Sequence, residues 1–135
     1  MEARKIIITG GATRVGAAIA EKLSGPNVEI TIHYNKSKSK AENLKNKLEK
    51  FGTKIYLVSG DLSKENDIYK IIKFSKSKMK FFDCLVNNAS LFENDKLDNF
   101  TSKSWEKHIS TNLKAPALLS KEFSQNIRGK NKNIK

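Results

Sequence analysis

The chain alternates short β-rich runs with amphipathic helical stretches, and this order limits its fold more than any other feature. Residues 4–9, 28–33, 54–59 and 81–86 read as strands. The first helical stretch, 15–23, puts Val15, Ala18, Ile19 and Leu23 on one face, and Gly25-Pro26-Asn27 then breaks the chain. The second, 38–51, carries Ala41, Leu44, Leu48 and Phe51, and the third carries Ile68, Ile71, Ile72 and Ser75. Ser63 suits the N-cap of that third helix, with Asn66 where a capping box would place Glu or Gln. Thr101 or Ser102 can cap a long last helix running through Trp105, Ile109, Asn112 and Leu119 to about Asn126. Asn133-Ile134-Lys135 would open a fifth strand that is cut short. Strand-helix alternation of this kind predicts an α/β fold with a doubly wound parallel sheet, right-handed crossovers and helices on both faces. The expected strand order is 3-2-1-4 in one domain spanning 1–135 and incomplete at its C-terminal end.

Composition narrows the function classes. The net charge of +12 comes from 26 basic and 14 acidic residues, and 23 of the basic ones are Lys. A nucleic-acid reader would use more Arg forks and set aromatics among its basic residues. The lysines therefore read as solvated faces that can still attract a nucleotide phosphate. The single cysteine, Cys84, sits in an apolar run, forms no internal disulfide and fits a reducing cytoplasm. The first apolar run, Ile6 to Ile8, is too short for a secretory signal, and no stretch approaches the length of a membrane helix.

The chemistry starts at Thr9-Gly10-Gly11-Ala12-Thr13-Arg14-Val15-Gly16, where the first strand turns into the first helix. A dinucleotide pyrophosphate needs backbone N–H groups at a helix N-terminus and glycines that allow close approach. Gly10 suits the tight turn, and Gly16 lets the helix pack on the strand. A glycine-rich turn alone is weak evidence of nucleotide binding; its place between a first strand and an amphipathic helix strengthens it. After the second strand comes His33-Tyr34-Asn35-Lys36-Ser37-Lys38, with no acid before Glu42. An acid there would bind both ribose hydroxyls of NAD, whereas Lys36 and Ser37 suit a 2′-phosphate. The same Lys-Ser stretch also reads as an ordinary polar loop.

The loop resembles the Thr-Gly-x-x-x-Gly-x-Gly signature of short-chain dehydrogenases and reductases, with Arg14 in place of the middle glycine. This variant, and the His-Tyr-x-basic-Ser segment, are similar to the pteridine and dihydrofolate reductase branch. The resemblance implies NADPH as cofactor, with Gly10, Arg14, Val15 and Gly16 around its phosphates and Asn35, Lys36 and Ser37 around the 2′-phosphate. Arg14 is otherwise simply an exposed residue at a helix start, where a cation opposes the helix dipole. Gly60-Asp61-Leu62 resembles the family's pair at the adenine, although Asp61 also fits a helix entry. Asn87-Asn88-Ala89-Ser90 resembles the family's Asn-Asn-Ala-Gly, which implies Asn88, Ala89 and Ser90 along the ribose and toward the nicotinamide. Ser90 and Phe92 match positions that hold a pterin-like substrate in that branch. Phe92 is then either a stacking plate or a loop anchor in the core.

Trp105, Ile109, Asn112 and Pro116 share a helical face, and the arrangement resembles the family's fourth long helix. Asn112 then matches the residue that supports the family's proton relay, and facing inward it would need a partner. Pro116 implies a kink or a freed carbonyl beside it. His108 falls off this face and reads as a surface residue. The general acid of the family is a Tyr with Lys four residues on, after a fifth strand. Tyr34–Lys38 and Tyr69–Lys73 have that spacing but lie on the wrong elements. The expected function is thus the cofactor-binding part of an NADPH-dependent oxidoreductase acting on a small molecule, a pterin or another carbonyl or imine compound. Intact members would be homo-oligomers. The alternatives are a non-catalytic nucleotide-binding module and a basic nucleic-acid-binding domain; no metal site is expected.

Overall fold

The computed structural model describes residues 2–129. It contains β1 (Arg4–Ile8), α1 (Arg14–Leu23), β2 (Val28–Tyr34), α2 (Lys38–Glu49), β3 (Lys54–Ser59), α3 (Glu65–Met79), β4 (Cys84–Val86), α4 (Ser102–Ile109) and α5 (Ala115–Gln125). The four strands form one parallel sheet in the order β3-β2-β1-β4. The expected doubly wound fold is therefore present. The fifth strand expected at 133–135 lies outside the described residues. A single parallel bridge, Phe82 to Ile127, does bring the chain beside the start of β4 after α5.

Parity along β1 distributes the core. Ile6 and Ile8 face α1 and α2 with Ile30, Ile32, Leu44 and Leu48. Ile7 faces the other side, against Ile68, Ile71, Phe82 and Leu119 of α3, α5 and their approaches. A strand buried on both faces carries such a continuous apolar run.

Several local expectations need correction. The buried face of α1 is Gly16 and Ala20, with Ile19 and Leu23 partly buried, whereas Val15 and Ala18 are exposed. The helix comes so close to the sheet that small residues mark its contact. Phe51 lies beyond the end of α2 and is exposed. Ser63 does not cap α3: its backbone N–H and hydroxyl both donate to Asp61, and Lys64 stands at the cap instead. Thr101 does cap α4, accepting from the Ser104 N–H at 3.1 Å.

The long last helix is interrupted. Ser110–Lys114 forms a π-helical turn, closed by the Ala115 N–H on the Ser110 carbonyl. Pro116 accounts for its place, because it offers no N–H to the carbonyl of Asn112 four residues before. Asn112 is exposed rather than turned into the core. Among the described residues no helix is long and apolar enough to cross a membrane.

Candidate nucleotide-binding cleft

Glycine geometry sets the first wall of the site. Gly10 has φ +61°, and a Cβ there would lie 3.0 Å from the Cα of Ala89. Gly16 admits no side chain, since a Cβ would lie 2.1 Å from the Gly10 carbonyl oxygen and 2.6 Å from Asn88 Nδ2. Arg14 has φ 49°, a left-handed conformation that favours glycine. That conformation is a physical reason for a glycine at this place in the signature, and its cost here is of order 1 kcal/mol.

A chain of hydrogen bonds then ties all four strand ends together. Asn88 Nδ2 donates to the carbonyls of Thr9 and Gly10, at 3.1 Å each. The N–H groups of Asn88 and Ala89 both donate to Thr9 Oγ1, again at 3.1 Å. The Gly10 N–H donates to His33 Nδ1 at 3.1 Å, so the proton of this imidazole is on Nε2, which donates to the Gly60 carbonyl at 2.8 Å. Burial holds His33 below its ordinary histidine value, against the opposing pull of the Gly60 carbonyl, and the ring is neutral. β4, β1, β2 and β3 are thus linked in turn through Asn88, Gly10, His33 and Gly60. Thr9 and His33 are site residues that are not among those expected to bind the cofactor. Thr9 opens the glycine signature and His33 opens the His-Tyr-x-basic-Ser segment, which are the available signals, while neither motif states the bonds that join them.

The strand ends enclose a cleft of about 500 Å³. Most of the predicted cofactor residues line it: Gly10, Arg14 and Val15 from the first turn, Asn35, Lys36 and Ser37 after β2, and Asn88, Ala89 and Ser90 after β4. Gly16 is directly behind them, as the contact that lets α1 approach. Thr13 starts α1 without a side-chain cap, and the first turn of the helix carries no acid. Its N-terminal N–H groups and dipole are thus available to an anion.

Asp61, Leu62, Phe92 and Asn112 are not part of this lining. Asp61 accepts from the Ser63 N–H at 2.9 Å and the Ser63 hydroxyl at 2.7 Å, and the hydroxyl in particular holds its carboxyl below the ordinary value. Leu62 is buried in the α3 side of the core. Phe92 is 83% exposed, which removes the core-anchor reading, and it lines a separate apolar groove with Leu97, Phe100, Trp105 and Ile109. Asn112 clamps the segment before it: Oδ1 accepts from the Leu91 N–H at 2.7 Å and Nδ2 donates to the Leu91 carbonyl at 2.8 Å. His108 is a second clamp rather than a plain surface residue, since its Nε2 accepts from the Glu93 N–H at 3.1 Å. The loop between β4 and α4 is therefore pinned at Leu91 to the π-helical turn and at Glu93 to α4, where Lys107 Nζ also pairs with Glu93 at 2.5 Å.

Known proteins share this architecture. The short chain dehydrogenase family model matches residues 4–134. The short-chain dehydrogenase/reductase FrzI of a Cladobotryum species is 29% identical over 121 residues, 90% of this chain and 47% of FrzI. The crystal structure of FolM alternative dihydrofolate reductase 1 from Brucella canis, complexed with NADP, is 30% identical with a TM-score of 0.83, covering 94% of this chain and 51% of that one. A short chain dehydrogenase from Burkholderia cenocepacia, in complex with NADP, shares the fold at a TM-score of 0.88 and 24% identity, over 93% of this chain and 51% of its own. This chain spans about half the length of these relatives. With its parallel sheet, its glycine turn and a match over nearly all of its residues, the chain belongs to the short-chain dehydrogenase family.

Proposed function

We propose that this chain is the NADPH-binding part of a short-chain reductase. The observation that carries this reading is the cationic end of the cleft: Arg14, Lys36 and Ser37 line it together, and no acid occurs between Tyr34 and Glu42. Gly10 and Gly16, having no Cβ, let the first turn close against Ala89, Asn88 and the start of α1, and this closure leaves the uncapped N-terminus of α1 lining the cleft, where a pyrophosphate fits. NADPH, when bound, supplies the hydride. Gly10 and the first turn of α1 would hold its pyrophosphate, Arg14, Lys36 and Ser37 its 2′-phosphate, and Asn88, Ala89 and Ser90 its nicotinamide side. Asp61, kept ionised by Ser63, would accept from the adenine amino group. The NADP bound to the FolM relative supports the cofactor, and that protein's description as an alternative dihydrofolate reductase supports a pterin- or dihydrofolate-like substrate. Ser90 and Phe92 would meet it, with Asn112 fixing Leu91 between them.

The test is a calorimetric comparison of NADPH and NADH on the whole 135-residue chain at one salt concentration. NADPH should bind at least about tenfold more tightly, a difference of ~1.4 kcal/mol that one charge-assisted contact supplies. Lys36→Asp should narrow or reverse the preference. Equal affinity for the two cofactors in the starting protein would refute the reading.

A further inference from the structure

The cleft has a neighbour. Between α1 and α2 runs a second groove, lined by Ala17 and Glu21 on one side and Lys40, Asn43, Leu44 and Lys47 on the other. It shares Ala12, Thr13, Arg14 and Ser37 with the cleft, so the two meet along a seam formed by those four residues. Lys36 lines the cleft and not the groove, while Lys40 lines the groove and not the cleft. Lys36 thus borders the shared residues from the cleft and Lys40 from the groove.

The charges of the groove single out one lysine. Lys47 Nζ lies 2.8 Å from Glu21 Oε1, so this pair neutralises itself. Lys38, next along the helix, is paired with Glu42 at 3.9 Å. Arg14 and Lys40 form no ion pair among the described residues. Lys40, Leu44 and Lys47 follow the i, i+4, i+7 spacing of one helix face, which keeps Lys40 on the groove side while Ala41, Leu44 and Leu48 anchor α2 in the core. Two unpaired cations on one concave surface create a positive potential that a dianion relieves.

We infer that Lys40 is a specificity-determining residue, the groove-side cation for the cofactor's 2′-phosphate, acting opposite Lys36 with Arg14 and Ser37 between them. The inference rests on the NADPH reading above and extends it to a residue on a different element. A subsite enclosed from both sides selects a phosphate monoester more sharply than one cation on a loop, because each further charge contact is made by NADPH and not by NADH.

The experiment measures the Kd of NADPH, NADH, adenosine 2′-phosphate and adenosine 5′-phosphate on the full chain and on Lys40→Gln, Lys40→Arg and Lys22→Gln. Lys22 is an exposed lysine on α1 outside both linings and controls for net charge. Lys40→Gln should weaken NADPH and adenosine 2′-phosphate by about three- to tenfold while leaving NADH and adenosine 5′-phosphate unchanged. Lys40→Arg should retain most of the affinity, and Lys22→Gln should change all four ligands little and equally. Unaltered melting curves would show that the exposed substitutions leave the fold intact. If the starting protein prefers NADPH and Lys40→Gln keeps the same preference, the Lys40 assignment is overturned and the NADPH reading stands. If the starting protein does not distinguish the two cofactors, both fail.

Discussion

Gly16→Ala should destabilise the chain by about 3 kcal/mol or more and abolish measurable cofactor binding. The methyl carbon would have to occupy a point 2.1 Å from the Gly10 carbonyl oxygen, which is backbone and cannot rotate aside. Either α1 moves away from the sheet or the Gly10 turn opens, and both changes dismantle the turn that the cleft is built on. The expected drop in melting temperature is about 10 °C for a chain of this size. Gly25→Ala is the matched control, because nothing lies within 4 Å of the point its methyl carbon would occupy and its φ is not left-handed. That variant should stay within about 0.5 kcal/mol of the starting protein. A Gly16→Ala chain that melts and binds like the Gly25→Ala chain would show that the close packing of α1 on the turn is not what shapes the site.

A comparably large effect is expected in catalysis. Residues 1–135 taken alone should oxidise NADPH with dihydropteridine, dihydrofolate or simple ketones at a rate about 100- to 10,000-fold below that of a short-chain reductase with a positioned general acid, because neither Tyr34 nor Tyr69 is placed as one. That range is what a positioned general acid contributes. Tyr34 ends β2 and lines the cleft beside Asn35, Lys36 and Ser37, at the end proposed for the 2′-phosphate. Tyr69 is on α3, exposed, with its hydroxyl 3.3 Å from Glu65, and it does not line the cleft. Tyr34→Phe and Tyr69→Phe should therefore leave the residual rate unchanged. Joining residues 1–135 to a segment that carries the family's Tyr-x-x-x-Lys motif should raise it. Robust turnover by the chain alone, abolished by either Tyr substitution, would place the general acid at that tyrosine.

The sheet was legible in the sequence because each strand is a short apolar run and each helix has its own stripe. Ile6, Ile7 and Ile8 read as a strand buried on both faces, and the structure divides them between two cores. The strand order 3-2-1-4 is the one a doubly wound sheet with a switch point beside its first strand adopts, and the alternation alone does not fix it. Contact faces built from small residues were harder to see. Hydropathy favours Val15 over Gly16, yet closeness to the sheet selects Gly16 and Ala20 and leaves Val15 at the cleft. Ser63 has the right chemistry for a cap, but Asp61, two residues earlier, takes both of its donors.

Long-range bonds were not legible. His33 reaches Gly10 and Gly60 across 23 and 27 positions of the chain, and no local pattern encodes that bridge. Asn112 and His108 clamp the loop before α4 across 21 and 15 positions in the same way. The cleft residues themselves were accessible because turn geometry is local: a left-handed Gly10, a helix start without an acid, and a polar loop after β2 each leave a mark in the sequence.

The most direct test of the central claim is an amide-resolved NMR titration of the full chain with NADPH. Shifts are expected to concentrate at Gly10, Val15, Gly16, Ser37, Asn88 and Ala89, with the amides of Lys70, Lys73 and Lys76 on α3 unmoved. Those three lysines line a separate groove against α5, remote from the cleft, where a polyanion held by charge alone can also collect. Shifts centred on α3, or spread over the surface and lost in moderate salt, would contradict the assignment of the strand-end cleft as a dinucleotide site.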